Sequence, residues 1–180
     1  MNAIEEHCFV VQQLNIEVIK EICLIIKQAL LNGNKILLMG NGGSAADCQH
    51  LAAEFVGRFK KERRGLPAVA LTTDSSVITA IANDYGYDSI FERQLESLMV
   101  PGDVVVGITT SGNSANVIRG LKYARAQGAK TIAFTGDTGG DAINNVDICL
   151  TVPSKNTARI QECHILVGHI ICEGIDGAFD

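Results

Sequence analysis

The chain has 180 residues, enough for a single domain with a sizeable core. Hydrophobic residues make up 47% against 19% charged, and no apolar run reaches membrane-spanning length, so the balance points to burial between subunits. A net charge of -5 argues against a general nucleic-acid binder.

Residues 4 to 31 carry apolar side chains at helical spacing, among them Ile4, Cys8, Val11, Leu14, Val18 and Ile22, and stop at Asn32-Gly33-Asn34. This predicts one long amphipathic helix, or two, ended by a glycine cap. It precedes the first strand and lies outside any βαβ unit, so residues 1-33 are expected to form an oligomerisation element. Glu5, Glu6 and His7 stand where an export signal would need positive charge and then an apolar core. The six cysteines (Cys8, Cys23, Cys48, Cys149, Cys163, Cys172) show no C-x-x-C and mostly fall in apolar segments. Both features predict a cytoplasmic protein with reduced packing cysteines.

Ile36 to Met39 reads as a strand, broken at Gly40-Asn41-Gly42-Gly43, after which helical spacing resumes with Ser44 as the expected cap. The basic cluster Lys60, Lys61, Arg63, Arg64 is expected to be a solvated loop. A second strand covers residues 67 to 71 and ends in the polar string Thr72 to Ser76. A helix is expected to Ala82, a turn at Asn83-Asp84-Tyr85-Gly86, and a helix over Phe91 to Met99. Val104 to Ile108 is a continuous apolar run of the kind shown by a strand covered on both faces. Thr109 to Ser114 follows, then a helix over Ala115 to Gln127, strands at Thr131 to Thr135 and Val146 to Val152, and a last helix over residues 155 to 178. Strands alternate with helices, and polar or glycine-rich loops recur at strand C-terminal ends. The expected fold is a doubly wound α/β domain over residues 1-180, with a mainly parallel five-stranded sheet flanked by helices and an extra N-terminal helix.

Three stretches carry chemistry. At the glycine turn, bare N–H groups at a helix N-terminus suit an anion or an oxygen-rich ligand. The turn lacks the Gly-Lys-Ser/Thr ending of a P-loop, and the acid that a dinucleotide fold needs about 20 residues on is missing, so no nucleotide cofactor is expected. Two turns along, His50 and Glu54 leave one helix face amid small residues, either as a ligand site or as a solvated pair. The loop Thr109, Thr110, Ser111, Ser114 offers four hydroxyls at the mouth of a helix, more than a cap needs, and suits a sugar phosphate. On the last helix, Gln161 and His169 are eight residues apart, about 12 Å along the axis, while His164 lies cleanly on neither face.

Gly40-Asn41-Gly42-Gly43-Ser44, Thr110-Ser111-Gly112-Asn113-Ser114 and Arg159-Ile160-Gln161-Glu162 together resemble the sugar isomerase (SIS) domain family, and within it the phosphoheptose isomerases. The likeness runs from about residue 4 to 178. It implies a homotetramer with active sites between subunits and a ketose–aldose isomerase acting on sedoheptulose 7-phosphate at the opening of ADP-heptose biosynthesis. It further implies that His50, Glu54, Gln161 and His169 bind zinc, with Glu54 and His169 also the acid–base pair. Asn41, Gly42, Gly43, Asn83 and Asp84, with Glu54 and Gln161, match substrate contacts, and Thr109, Thr110, Ser111 and Ser114 match the phosphate cradle. Thr109 replaces the serine usual in the family and keeps the hydroxyl. The alternative is a non-catalytic SIS protein that binds the bacterial replication initiator. Those relatives lack the acid–base pair present here as Glu54 and His169.

Overall fold

Five apolar segments pair in parallel: β1 (Ile36–Gly40), β2 (Ala68–Ala70), β3 (Val104–Ile108), β4 (Lys130–Gly136) and β5 (Ile148–Val152). The computed structural model describes residues 2–179. The strands lie in the order β2-β1-β3-β4-β5, with Ile36 beside Val104 and Ile108 beside Phe134. All five are parallel, and β1 and β3 are buried along their whole length. Successive side chains of a strand point to opposite faces, so each run feeds two cores. Ile36, Leu38, Val104, Val106 and Ile108 pack into one cluster, and Leu37, Met39 and Val105 into the other.

The α-helices divide between those faces. On the first lie α1 (Ala3–Val11), α2 (Ile16–Leu31), α3 (Gly43–Val56) and α7 (Thr157–Asp176); on the second lie α5 (Ile90–Leu98) and α6 (Ala115–Ala126). A further helix, α4 (Ser75–Tyr85), buries none of its residues. Among the described residues no helix is long and apolar enough to cross a membrane.

The N-terminal apolar pattern resolves into two helices, because Asn15 starts α2 afresh by accepting from the amides of Glu17 and Val18. One stripe of α2 (Ile19, Ile22, Ile26, Leu30) belongs to the domain core, so this helix covers the sheet as well as presenting Ile16 and Leu24 to solvent. Three expectations need correction. Asn83 and Asp84 sit in the last turn of α4, which continues to Tyr85 and is ended by Gly86 at φ 86. Ser44 is no cap: α3 begins at Gly43, and Gly42 takes the cap position at φ 56, a conformation that only glycine adopts cheaply. Ser44 instead turns inward and is buried. Nor is the basic cluster simply a solvated loop, since the Arg63 side chain is fully buried against Asp176.

Candidate active site

In a doubly wound sheet, ligands bind beyond the strand C-termini where the strand order reverses. Here that crevice lies between β1 and β3, and the loops that follow them are the glycine turn and the hydroxyl loop. A side-chain clamp joins the two. Asn41 and Asn116 each donate an amide N–H to the other's carbonyl oxygen at 2.9 Å, and the Tyr87 hydroxyl donates to Asn41 Oδ1 at 2.9 Å.

Gly43 is required by close approach. A Cβ there would stand 2.5 Å from Gln161 Nε2, so the missing side chain admits Gln161 from α7. The two helices then run on together, and the bare face of Gly168 receives Leu51. This near contact brings their next residues to one place. His50 Nε2 lies 2.9 Å from His169 Nε2 and 3.3 Å from Glu54 Oε1. His50, Glu54 and His169 each turn a ligand atom into a group spanning no more than 4.8 Å, which can hold a metal ion. Two imidazole nitrogens and a carboxylate oxygen form the donor set of known catalytic zinc sites, so these residues fit that cation. Gln161, two turns before His169 on α7, stands against Gly43.

Two residues unmarked by any sequence motif support the cluster. Phe59 stacks beneath His169, with ring centroids 5.3 Å apart and planes 27° apart. Arg63 donates to the carbonyls of Glu54, Phe55 and Gly57, satisfying the C-terminal end of α3, and its Nε donates to Asp176 Oδ1 at 2.8 Å. Burial alone would raise the Asp176 pKa; the amides of Lys60 and Lys61 and the guanidinium outweigh it and hold this carboxyl below the usual range.

In the hydroxyl loop, Thr109 is buried with its Oγ1 2.9 Å from Ser114 Oγ and 3.4 Å from Ser111 Oγ. Ser114 occupies the cap position of α6 yet makes no side-chain cap bond, so its hydroxyl is not spent on the helix. The loop opens onto a cavity of about 290 Å³ lined by Thr110, Ser111, Asp137, Lys155 and Thr157. Hydroxyls at a positive helix end can hold a phosphate. Asn83 and Asp84 are exposed and bond each other at 2.8 Å; no hydrogen bond ties them to the His–Glu–His group, and Tyr87 is what links their segment to the glycine turn. His164 takes no part: it is fully buried, its Nε2–H donates to the Thr135 carbonyl at 3.0 Å, and burial pushes its pKa down to about 4. Asn116 was legible only as a polar residue early in α6, and nothing local separates Arg63 from its basic neighbours.

A family model described as a SIS domain matches residues 1–136. A phosphoheptose isomerase of Aquifex aeolicus (strain VF5) is 61% identical over 164 residues, covering 91% of this chain and 86% of that protein. The solved structure of phosphoheptose isomerase GmhA from Neisseria gonorrhoeae superposes with a TM-score of 0.91 at 46% identity, covering 97% of this chain and 95% of that one. A phosphoheptose isomerase from Francisella tularensis gives a TM-score of 0.91 at 38% identity, covering 97% and 93%.

Proposed function

The chain belongs to the SIS-domain family and, within it, to the phosphoheptose isomerases, so it is a phosphosugar isomerase; from that premise we propose that it converts sedoheptulose 7-phosphate to D-glycero-D-manno-heptose 7-phosphate, the first step of ADP-heptose biosynthesis. The observation that carries this reading is the meeting of a carboxylate and an imidazole, Glu54 and His169, from helices more than a hundred residues apart in the chain. Moving a carbonyl from C2 to C1 needs a base for a carbon-bound proton and a second group to move protons between oxygens.

Glu54 removes the proton from C1, the electron pair of that C–H bond forms the C1–C2 double bond, and the π pair of the C2 carbonyl moves onto O2, giving a cis-enediolate. His169 carries the hydroxyl proton from O1 to O2. The proton held by Glu54 returns to C2, leaving the carbonyl at C1. Glu54 Oε1 is directed toward His50, which leaves Oε2 to act as the base. Thr109, Thr110, Ser111 and Ser114, with the first amides of α6, anchor the phosphate. Asn41, Gly42, Gly43, Asn83, Asp84 and Gln161 contact the sugar. Zinc would be held by His50, Glu54 and His169 with Gln161 as the fourth ligand, and when bound it supplies Lewis-acid polarisation of the carbonyl.

The single SIS domain works in a homotetramer, with residues 1-33 as the oligomerisation element. Support comes from Ile16, Leu24 and Ile170, which are exposed and line one apolar cavity between α2 and α7. Light scattering tests this, a mass other than four chains of 19.2 kDa being the contrary result. A phosphorylated sugar is retained in the cytoplasm, the compartment proposed here.

Turnover of sedoheptulose 7-phosphate in deuterated water tests the chemistry, comparing the native protein with Glu54→Gln and His169→Gln. Solvent deuterium is expected at the migrating position, and each variant is expected to lose at least about 100-fold in kcat, the usual worth of a positioned acid or base. Full activity in both variants refutes the mechanism. An inert native protein that binds a replication initiator establishes the non-catalytic alternative.

A further inference from the structure

We propose that Asn116 is a positioning residue that holds the glycine turn and the hydroxyl loop at a fixed separation, with Tyr87 closing the same clamp from the α4–α5 connection. This rests on the reading above, in which the hydroxyl loop anchors the phosphate and the reacting carbons lie against α3. Backbone pairing between β1 and β3 reaches Gly40 beside Ile108. The strand pairing ends there, and the amide pair of Asn41 and Asn116 ties the segments that follow side chain to side chain, with both bonds at 2.9 Å.

The tie is rigid. Asn116 is 2% exposed, and its Oδ1 also accepts from the Val117 amide at 2.9 Å, so α6 itself sets the side-chain orientation. Asn41 Oδ1 accepts from both Asn116 Nδ2 and the Tyr87 hydroxyl, which uses its two lone pairs. Of the four hydrogen bonds its amide can make, Asn41 keeps one N–H for a ligand. Its side chain therefore serves first to set the crevice, and a sugar meets this turn chiefly through the main chain. At the buried end of the network, losing the partner of the Asn116 amide costs more than one contact, because a buried polar group is left unsatisfied.

A phosphosugar gripped at both ends reports the separation of the two grips. The span from phosphate to the carbon that loses its proton grows with carbon number, so a fixed crevice discriminates chain length as well as rate. The Tyr87 hydroxyl, on a residue 55% exposed, stands at the open side of the clamp and holds Asn41 in place from the solvent side.

The test measures kcat and KM of native protein, Asn116→Ala, Asn116→Asp and Tyr87→Phe on ketose phosphates of five to seven carbons, together with competitive inhibition by inorganic phosphate. A displacement of about 1 Å costs on the order of 100-fold. The Asn116 variants are expected to lose about that much, mostly in kcat, and to show a reduced preference for the seven-carbon substrate. Inorganic phosphate occupies the hydroxyl loop alone, so its inhibition constant is expected to stay near the native value. Tyr87→Phe removes one exposed hydroxyl without disturbing the core and is expected to shift kcat and chain-length preference in the same direction by a smaller factor, which carries the test if an Asn116 variant does not fold. Native-like kinetics in Tyr87→Phe and in the folded Asn116 variants overturn the proposal, as does phosphate affinity falling in step with activity. If native protein leaves sedoheptulose 7-phosphate untouched, the substrate reading fails separately, and the same variants are judged on the ketose phosphate that it does convert.

Discussion

Gly168→Ala should cost far more activity than stability. A Cβ at position 168 would lie 2.8 Å from Leu51 Cδ1 and 3.1 Å from Leu51 Cγ, and closer still to Leu51 Cδ2. Comfortable carbon contacts lie near 3.5–4.0 Å, so the helices must separate by roughly 1 Å or Leu51 must leave its rotamer. Leu51 is 3% exposed within the cluster that includes Ile26 and Phe55, and the cavity that it lines together with Gly168 holds only about 10 Å³, so a new rotamer has little room. Overpacking of this kind costs about 1–3 kcal/mol, offset by about 1 kcal/mol from replacing a mid-helix glycine with alanine. The net loss of about 0–2 kcal/mol should lower Tm by no more than about 4–8 °C for a chain of this size. His169 is the next residue and His50 precedes Leu51, so the same shift pulls apart nitrogens now 2.9 Å from each other. Misplacement by about 1 Å is worth about 100-fold in rate. Steady-state kinetics, divalent-cation affinity by calorimetry and thermal melts should be run in parallel on Gly168→Ala and on Gly168→Ala with Leu51→Ala. The single variant should lose about two decades in kcat and bind the cation more weakly while remaining folded, and the double variant should recover part of both. Native kcat and cation affinity in a folded Gly168→Ala protein would refute the idea that this close approach sets the site.

Arg63→Ala should destabilise the protein by about 3–5 kcal/mol in urea unfolding, because it strands the Asp176 carboxylate in the interior and frees the carbonyls at the end of α3; a loss under 1 kcal/mol would contradict the role given to the pair. Acidification should weaken the fold through His164. The unfolded chain takes up this proton near pH 6.5 and the native state only near pH 4, so stability is lost as pH falls between those values, by up to about 3 kcal/mol. His164→Gln should flatten that part of the pH–stability curve, and an unchanged slope would count against a buried neutral imidazole. Below that range Asp176 and Asp103 add to the loss, since both have lowered folded pKa values and their stabilisation, present above the ordinary carboxylate pKa, disappears as pH falls through those values. Zinc added to chelator-treated protein should raise Tm, with a free concentration 100 times Kd contributing about 2.7 kcal/mol. His50→Ala should abolish that rise, and a rise of native size in this variant would place the cation elsewhere.

Much of the fold was written locally. Continuous apolar runs at residues 36–39 and 104–108 require strands covered on both faces, and the structure buries both completely. The glycine turn and the hydroxyl loop were equally legible, because chain reversal and helix entry depend on a few adjacent residues. Boundaries set by tertiary contacts were less so: α4 runs through Asn83 and Asp84, and Ser44 turned inward instead of capping α3.

The sequence by itself determined which segments are strands and helices, since hydrophobic periodicity and turn chemistry act over a handful of neighbours. Only the tertiary structure decided that α3 and α7 share one face of the sheet, that Gly43 and Gly168 let them touch, and that His50 meets His169 across 119 positions. It also decided that Arg63, indistinguishable in the chain from Lys60, Lys61 and Arg64, is the one cation of that cluster taken into the interior. The physical reason is common to all of these: periodicity fixes which way a side chain faces along its own element, whereas its neighbours depend on strand order and on how closely two helices can approach.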